Sequence, residues 1–319
     1  MAMPAASKAA AAARLTVVVP ATDSPPTLER CLAAIRAADD GPDELVVVDH
    51  PPGSGPAEAR NSGAEKASGD VLVFVDADVE VHRDVFRRIR AALDSDPGLT
   101  AVFGAYDDEP ETAGLVSDFR NLLHHFVHDQ GEGFVGTFWA GLGAIRRDAF
   151  RAAGGFDSIR FSRPSVEDIE LGMRLAKEGR RILLDPSIQG KHLKRWTLTS
   201  MIETDFARRG VPWVGLLLRE RSLSRELNLG WRHRLSTASC IVAVVGAVSA
   251  HRRVAPGAAV AFVALNADFY ALLIRKRGLV AGPAGVLLHA VHHLTGAAAL
   301  AAGVAKFAAE GWRSRTRLP

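Results

Sequence analysis

The sequence predicts an α/β fold, a mainly parallel sheet with helices on both faces, followed by a helical tail of different character. Three observations predict it. Short apolar runs alternate with helix-spaced segments from Leu15 to about Pro186. Three of those runs end in Pro20, Asp49 and Asp76, at the edge where open α/β sheets hold ligands. The charge then changes sign: residues 1–190 carry 20 Lys/Arg against 30 Asp/Glu, residues 191–319 carry 19 against 6. An acidic first part excludes a nucleic-acid-binding domain there, and a basic, apolar second part suits an anionic membrane surface. Two distant cysteines, Cys31 and Cys240, exclude a disulfide scaffold and a cysteine-based zinc site.

The elements follow in order. Residues 1–14 are Ala-rich, with no apolar signal core, and read as a disordered leader. Residues 15–19 form a first strand, and 27–38 a helix with Leu28, Cys31, Leu32 and Ile35 on one side. Residues 45–48 form a second strand. A Pro/Gly/Ser loop over 51–56 leads into a helix over 57–67. Residues 71–75 form a third buried strand, 81–93 a helix and 100–105 a further strand.

Five signals carry possible chemistry. Asp76-Ala77-Asp78 follows a buried strand, and paired acids in a cleft call for a divalent cation such as Mg2+ or Mn2+; a solvated acidic turn explains the same residues. Glu167-Asp168 opens a helix, where either a base or a Ser165-x-x-Asp168 capping box fits. Arg60-Asn61-Ser62-Gly63 offers a cation for phosphate beside permissive backbone. Trp139 and Gly141 sit in a glycine-bracketed turn that suits either a ligand or the core. His192-Leu-Lys194-Arg195-Trp196 follows the sheet region: His192 as a third metal ligand, Lys194 and Arg195 for diphosphate, Trp196 to stack on a sugar. No GxGxxG follows the first strand and no GxxxxGK[ST] is present, so neither a dinucleotide fold nor a P-loop is supported.

Taken in order, Pro20, Asp49, Ala59-Arg60-Asn61-x-Gly63, Asp76-Ala77-Asp78, Gly154-Gly155-Phe156-Asp157 and Glu167-Asp168 resemble the family 2 glycosyltransferases of the GT-A fold, over residues 15–196. The resemblance implies a Rossmann-like mixed sheet and inverting transfer of a sugar from a nucleotide-diphosphate donor to an acceptor hydroxyl. By position it implies Asp78 on the metal and Asp76 on metal or ribose. It also implies Asp49 at the base, Pro20, Ala21, Thr22, Arg60 and Ala77 around the donor, and Asp168 as general base with Glu167 beside it. Trp139, Gly141, Arg195 and Trp196 fall where the acceptor or sugar is met. His192 stands where the processive synthases carry the Gln of Gln-x-x-Arg-Trp, which weighs against a polymerase. A sugar-nucleotide pyrophosphorylase would need a Gly-rich basic loop after the first strand, and Ala21-Thr-Asp-Ser-Pro-Pro has neither feature. An inactive membrane scaffold is the non-enzymatic alternative; the presence of all four acids weighs against it.

Residues 197–234 mix Trp, Leu and Arg as interfacial helices do. Residues 235–319 then hold three apolar stretches, 235–250, 254–274 and 279–305, read as two or three transmembrane helices, with Pro283 a candidate kink in the last. Asp268 inside the second stretch would have to face other helices. Basic clusters lie at every boundary. The expectation is a multi-pass inner-membrane protein of the cell envelope, with its catalytic domain cytoplasmic and its acceptor lipid-linked or a glycan near the membrane.

Overall fold

The protein was described from a computed structural model covering residues 13–111, 113–221, 230–249 and 252–315. The leader expected over 1–14 lies almost wholly outside the described residues.

The chain runs β1 (Leu15–Pro20), α1 (Leu28–Ala37), β2 (Glu44–Val48), α2 (Pro56–Lys66), β3 (Val71–Val75), β4 (Val79–Val81), α3 (Val85–Ser95), β5 (Leu99–Tyr106) and α4 (Leu115–Asp129). It continues with β6 (Gly133–Phe134), β7 (Leu142–Arg146), α5 (Arg147–Ala152), α6 (Glu167–Lys177) and β8 (Arg181–His192). The sheet order is β2-β1-β3-β7-β5-β8-β4, with β6 paired to β8. β1 runs parallel to β2 and β3, and β5 parallel to β8, but β7 enters antiparallel between β3 and β5. The sheet is therefore mixed rather than mainly parallel. β3 and β5 are buried at every position, as strands covered on both faces must be. Residues 81–93 are not one helix: Val79–Val81 pairs with Gly190–His192, and α3 starts after Asp84.

Two helices approach the sheet more closely than a side chain allows. A Cβ on Gly63 of α2 would lie 2.3 Å from Val18 Cγ1 of β1. One on Gly172 of α6 would lie 2.2 Å from the Phe138 backbone nitrogen. These contacts lower α2 and α6 onto the layer that carries the site, with Arg60 and Asp168 each about one turn before the glycine.

Beyond the sheet come α7 (Leu198–Glu203), a π-helical turn over Thr204–Gly210, α8 (Val211–Glu220), α9 (Trp231–Val248), α10 (Ala255–Leu265), α11 (Ala267–Arg277) and α12 (Ala281–Arg315). Among the described residues one helix, over Ala281–Glu310, is long and apolar enough to cross a membrane; α10 and α11 qualify only as a pair bent by 66°. The two or three transmembrane helices expected thus find one straight candidate among the described residues, or two if the bent pair is a single span. The break falls at Asn266, whose amide donates to Phe262 O (2.8 Å) and Ser236 Oγ (3.0 Å). Asp268, its side chain 75% exposed, pairs with Arg232 of the neighbouring α9 at 3.0 Å. Pro283 falls in the first turn of α12, where a missing N–H costs nothing, so α12 runs on unbroken. α12 also packs on α4, α8 and the π-helical turn. Phe119, Leu122 and Leu123 of α4 share a core with Phe269, Tyr270 and Leu273 of α11.

Candidate active site

β1 and β3 stop at the same sheet edge. Pro20 and Thr22 from one, and Asp76, Ala77 and Asp78 from the other, line a cavity of about 480 Å³. Trp139, Glu167, Asp168, His192, Lys194 and Trp196 line it too, so acids almost a hundred residues apart share one hollow.

Arg60 joins the two acidic segments. Its guanidinium, 4% exposed, donates to Asp76 Oδ1 at 2.6 Å and to Glu167 Oε1 at 3.0 Å. Expected as a phosphate ligand, it is instead taken up by two carboxylates. The pairing is the physical condition for burying those acids at all, since one alone would shed its charge. Burial still pushes the Asp76 carboxyl above its usual range, with Asp78 and Glu167 adding and Arg60 opposing.

Asp168 is the second residue of α6. Its Oδ2 accepts from Ala140 N–H at 3.2 Å, which aims it at the cavity. Burial, then the neighbouring Glu167, pushes its carboxyl up to about 6. The capping-box explanation does not hold: Val166 is the N-cap with no side-chain bond, Ser165 Oγ donates to Arg208 O at 2.8 Å, and Ser165 N–H donates to Glu167 Oε2 at 2.9 Å.

Asp78 faces His192 across 3.5 Å, from Oδ2 to Nε2. Asn121 Oδ1 accepts from His192 Nδ1 at 2.6 Å and from Trp196 Nε1 at 3.2 Å. An indole N–H only donates, so Asn121 must turn its oxygen inward and His192 Nδ1 must carry hydrogen. Its Nε2 is left facing the Asp78 carboxylate, to which it donates when it carries a proton. Without that proton, nitrogen and carboxylate together could take a shared cation, with a hydrogen bond behind the imidazole fixing its tautomer. Among the described residues no three His, Cys, Asp or Glu side chains close around an ion by themselves, so such a cation would take its other oxygens from substrate or water. Burial opposes charge on Asp78, but His192 and Lys194 hold its carboxyl below the usual range. Lys194 lies 4.3 Å over the Trp196 ring. His192 stacks on Tyr106 at 4.0 Å.

Four expected residues do not line the cavity. Asp49, its side chain 65% exposed, is bound to His50 instead of facing a base. Ala21 is buried beneath the edge. Gly141 contributes a carbonyl that accepts the Asp76 N–H at 3.0 Å. Arg195 points to solvent, because the chain alternates there and only Lys194 and Trp196 turn inward.

Other wall residues went unnoticed in the sequence. Arg120, Asn121 and His124 come from α4, spaced one turn apart on one side of the helix. Thr204, Arg208 and Arg209 come from the π-helical turn, for which no sequence signal exists. π-turns recur at functional sites because the extra residue re-aims side chains. Asp205 in that turn binds Arg120 at 2.7 Å and His292 of α12 at 2.7 Å, tying the tail to the cavity wall.

A mixed, doubly wound sheet with an acid pair at one strand end and a facing carboxyl on a helix start defines a nucleotide-sugar transferase fold of the GT-A kind. Residues 49–154 match the family described as Glycosyl transferase family 2. It is 28% identical over 212 residues to the pre-mycofactocin glycosyltransferase of Mycobacterium tuberculosis, covering 59% of this chain and 44% of that protein. The chain thus spans less than half the length of that relative. It superimposes on a mannosyltransferase of Pyrobaculum calidifontis, solved with GDP-mannose and Mn2+, with a TM-score of 0.56 at 20% identity, over 90% of this chain and 87% of the other. That likeness establishes the shared fold.

Proposed function

We propose that this protein transfers a sugar, with inversion, from a nucleotide-diphosphate sugar to an acceptor hydroxyl. One observation carries the reading: Asp76 and Asp78 at the β3 end and Asp168 at the α6 start line one cavity, with Arg60 binding the two segments together.

Asp168 accepts the proton of the acceptor hydroxyl as its oxygen bonds to the anomeric carbon. The bond from that carbon to the diphosphate breaks on the opposite face, and its electron pair leaves on the phosphate oxygen. A carboxyl raised to about 6 is mostly ionised at neutral pH yet basic enough to share a proton. Lys194, in the wall beside Asp78, faces the leaving charge. Asp78 and His192 would hold Mg2+ or Mn2+, which when bound neutralises charge on the diphosphate. The Mn2+ in the Pyrobaculum structure supports that cation class. Trp139 and Trp196 offer faces for a sugar ring.

The acceptor is lipid-linked or membrane-proximal, the chain sitting at the inner membrane with the catalytic domain cytoplasmic. The apolar length of α12 and its packing on the domain support this. Incubating membranes containing the full chain with UDP- and GDP-sugars, with Mn2+ or with chelator, and weighing the lipid extract by mass spectrometry tests the reading. Cation-dependent sugar addition is expected. No nucleoside diphosphate release from any donor, or release indifferent to chelation, would sink it. The name of the mycobacterial relative adds small peptide-derived acceptors to that panel.

A further inference from the structure

A second cavity, of about 650 Å³, opens beside the first, between the loop before α6, the π-helical turn, α8 and α12. The two share Ser162, Arg163, Pro164, Ser165 and Arg208 as a common wall. Ser165 in that wall stands three residues before Asp168, which lines the first cavity.

Its lining is uneven in charge. Arg208 is balanced by Glu203 at 2.8 Å, and Arg219 by Glu310. Arg160, Arg163 and Lys306 have no carboxylate within ion-pair reach among the described residues; Arg160 lies only over the Phe161 ring. The acids of the cavity are thus used up and three cations remain. The opposite wall is apolar, from Val211 and Pro212 of α8 and Phe307 of α12, the helix long enough to cross a membrane. Gly215 faces this space, and a Cβ there would meet nothing within 4 Å.

We infer that the second cavity is the acceptor subsite and takes an amphiphile with an anionic, phosphate-class head, the head on Arg163 and Lys306 and the apolar portion along α8 and α12. This rests on the glycosyl-transfer reading for the word acceptor, but the binding itself does not. The phosphate belongs to the acceptor molecule rather than to a bulk phospholipid headgroup. Charge selects the head: three unpaired cations favour an anion by Coulomb attraction, strengthened where an apolar wall excludes water.

Octyl phosphate is the probe, with octyl glucoside and inorganic phosphate as its two halves, measured by calorimetry on the full chain. Octyl phosphate is expected to bind at least tenfold more tightly than either. Arg163→Glu with Lys306→Glu should weaken it at least tenfold and leave octyl glucoside unmoved. Gly215→Leu fills the groove with a better helix former, so the melting temperature should hold or rise while octyl phosphate affinity falls. Equal binding of octyl glucoside, or full affinity in both variants, overturns the inference. Loss of binding to phosphatidylglycerol vesicles in the charge-reversed variant, with octyl phosphate binding intact, also overturns it and makes the cavity a bilayer contact. Nucleoside diphosphate binding is followed in parallel. Its absence from the parent chain would count against the transferase reading alone.

Discussion

The strand edge and the wall added by residues 204–210 enclose the same cavity by different means. At the strand edge, Asp76, Asp78, Glu167 and Asp168 sit on elements that every α/β sheet must form, and a single buried cation, Arg60, joins them. The other wall is an irregular turn, held because Asp205 reaches both Arg120 of α4 and His292 of α12. The first region supplies the reacting groups; the second closes the space in which they act. A tail read from composition as an anchor is therefore also part of the enclosure, and the two regions should fail differently when altered.

The largest effect should fall on the strand-edge side. Asp168→Asn removes the proton acceptor while keeping its shape, so turnover should drop by about 10²–10⁴-fold, the range a positioned base contributes. Stability should move the other way. A carboxyl raised to about 6 from an ordinary 3.8 stabilises the fold only while protonated, and that contribution is lost as pH rises through about 6. The variant should therefore melt no lower than the parent at pH 7.5, with its relative advantage shrinking towards pH 4. In the parent, turnover should rise through about pH 6 to a plateau. Melting curves and pH–rate profiles check both; a lower melting point at pH 7.5 with activity lost in proportion would assign Asp168 a structural role.

Arg60→Met breaks the link between the two acidic segments. Two buried carboxylates lose their cation, a change that costs about 3–5 kcal/mol when a buried pair is opened. Denaturant unfolding at pH 7.5 should show it, and part of the loss should return as pH falls, because the already raised Asp76 carboxyl takes up a proton more readily. A loss below 1 kcal/mol would mean that Arg60 is solvated rather than enclosed.

Asp205→Asn acts on the other wall. One of its two partners keeps an acceptor oxygen and the other meets an amide NH2, and both lose the charge, at about 1–3 kcal/mol for a charged hydrogen bond. Turnover should fall less than tenfold, because no reacting atom is touched. Activity lost as completely as in Asp168→Asn would move the π-helical turn into the chemistry and erase the contrast between the regions.

What could be read in the sequence divides along the same line. Strand runs and their terminal residues follow from local period and polarity, so Asp76 and Asp78 could be placed at a strand end, but only the ordered resemblance to the family 2 glycosyltransferases joined them to Glu167 and Asp168. Whether β7 runs parallel or antiparallel depends on non-local pairing, and the mixed sheet was not legible from period. The partner of Arg60 lies 107 residues away and has no local trace. The inward turn of Lys194 against the outward turn of Arg195 is a matter of alternation, which only the pairing of β8 anchors. In the tail, hydropathy measured apolar length but not what covers it, so the bend at Asn266 and the docking of α12 were invisible.

The smallest effect should come from Asp49→Ala. This acid ends a strand just as Asp76 does, and composition treats the two alike. Yet Asp49 closes β2 at the outer end of the sheet, beyond β1, with its side chain 65% exposed and turned to His50. Asp76 closes a strand flanked by β1 and β7, and its backbone N–H is held by Gly141 O. Exposed ion pairs contribute about 0–1 kcal/mol, so the melting point should barely change. KM for the nucleotide donor should stay within twofold. A rise of tenfold or more would show that the loop after β2 folds over the donor when it binds, and the strand edge would then be wider than the cavity in this structure.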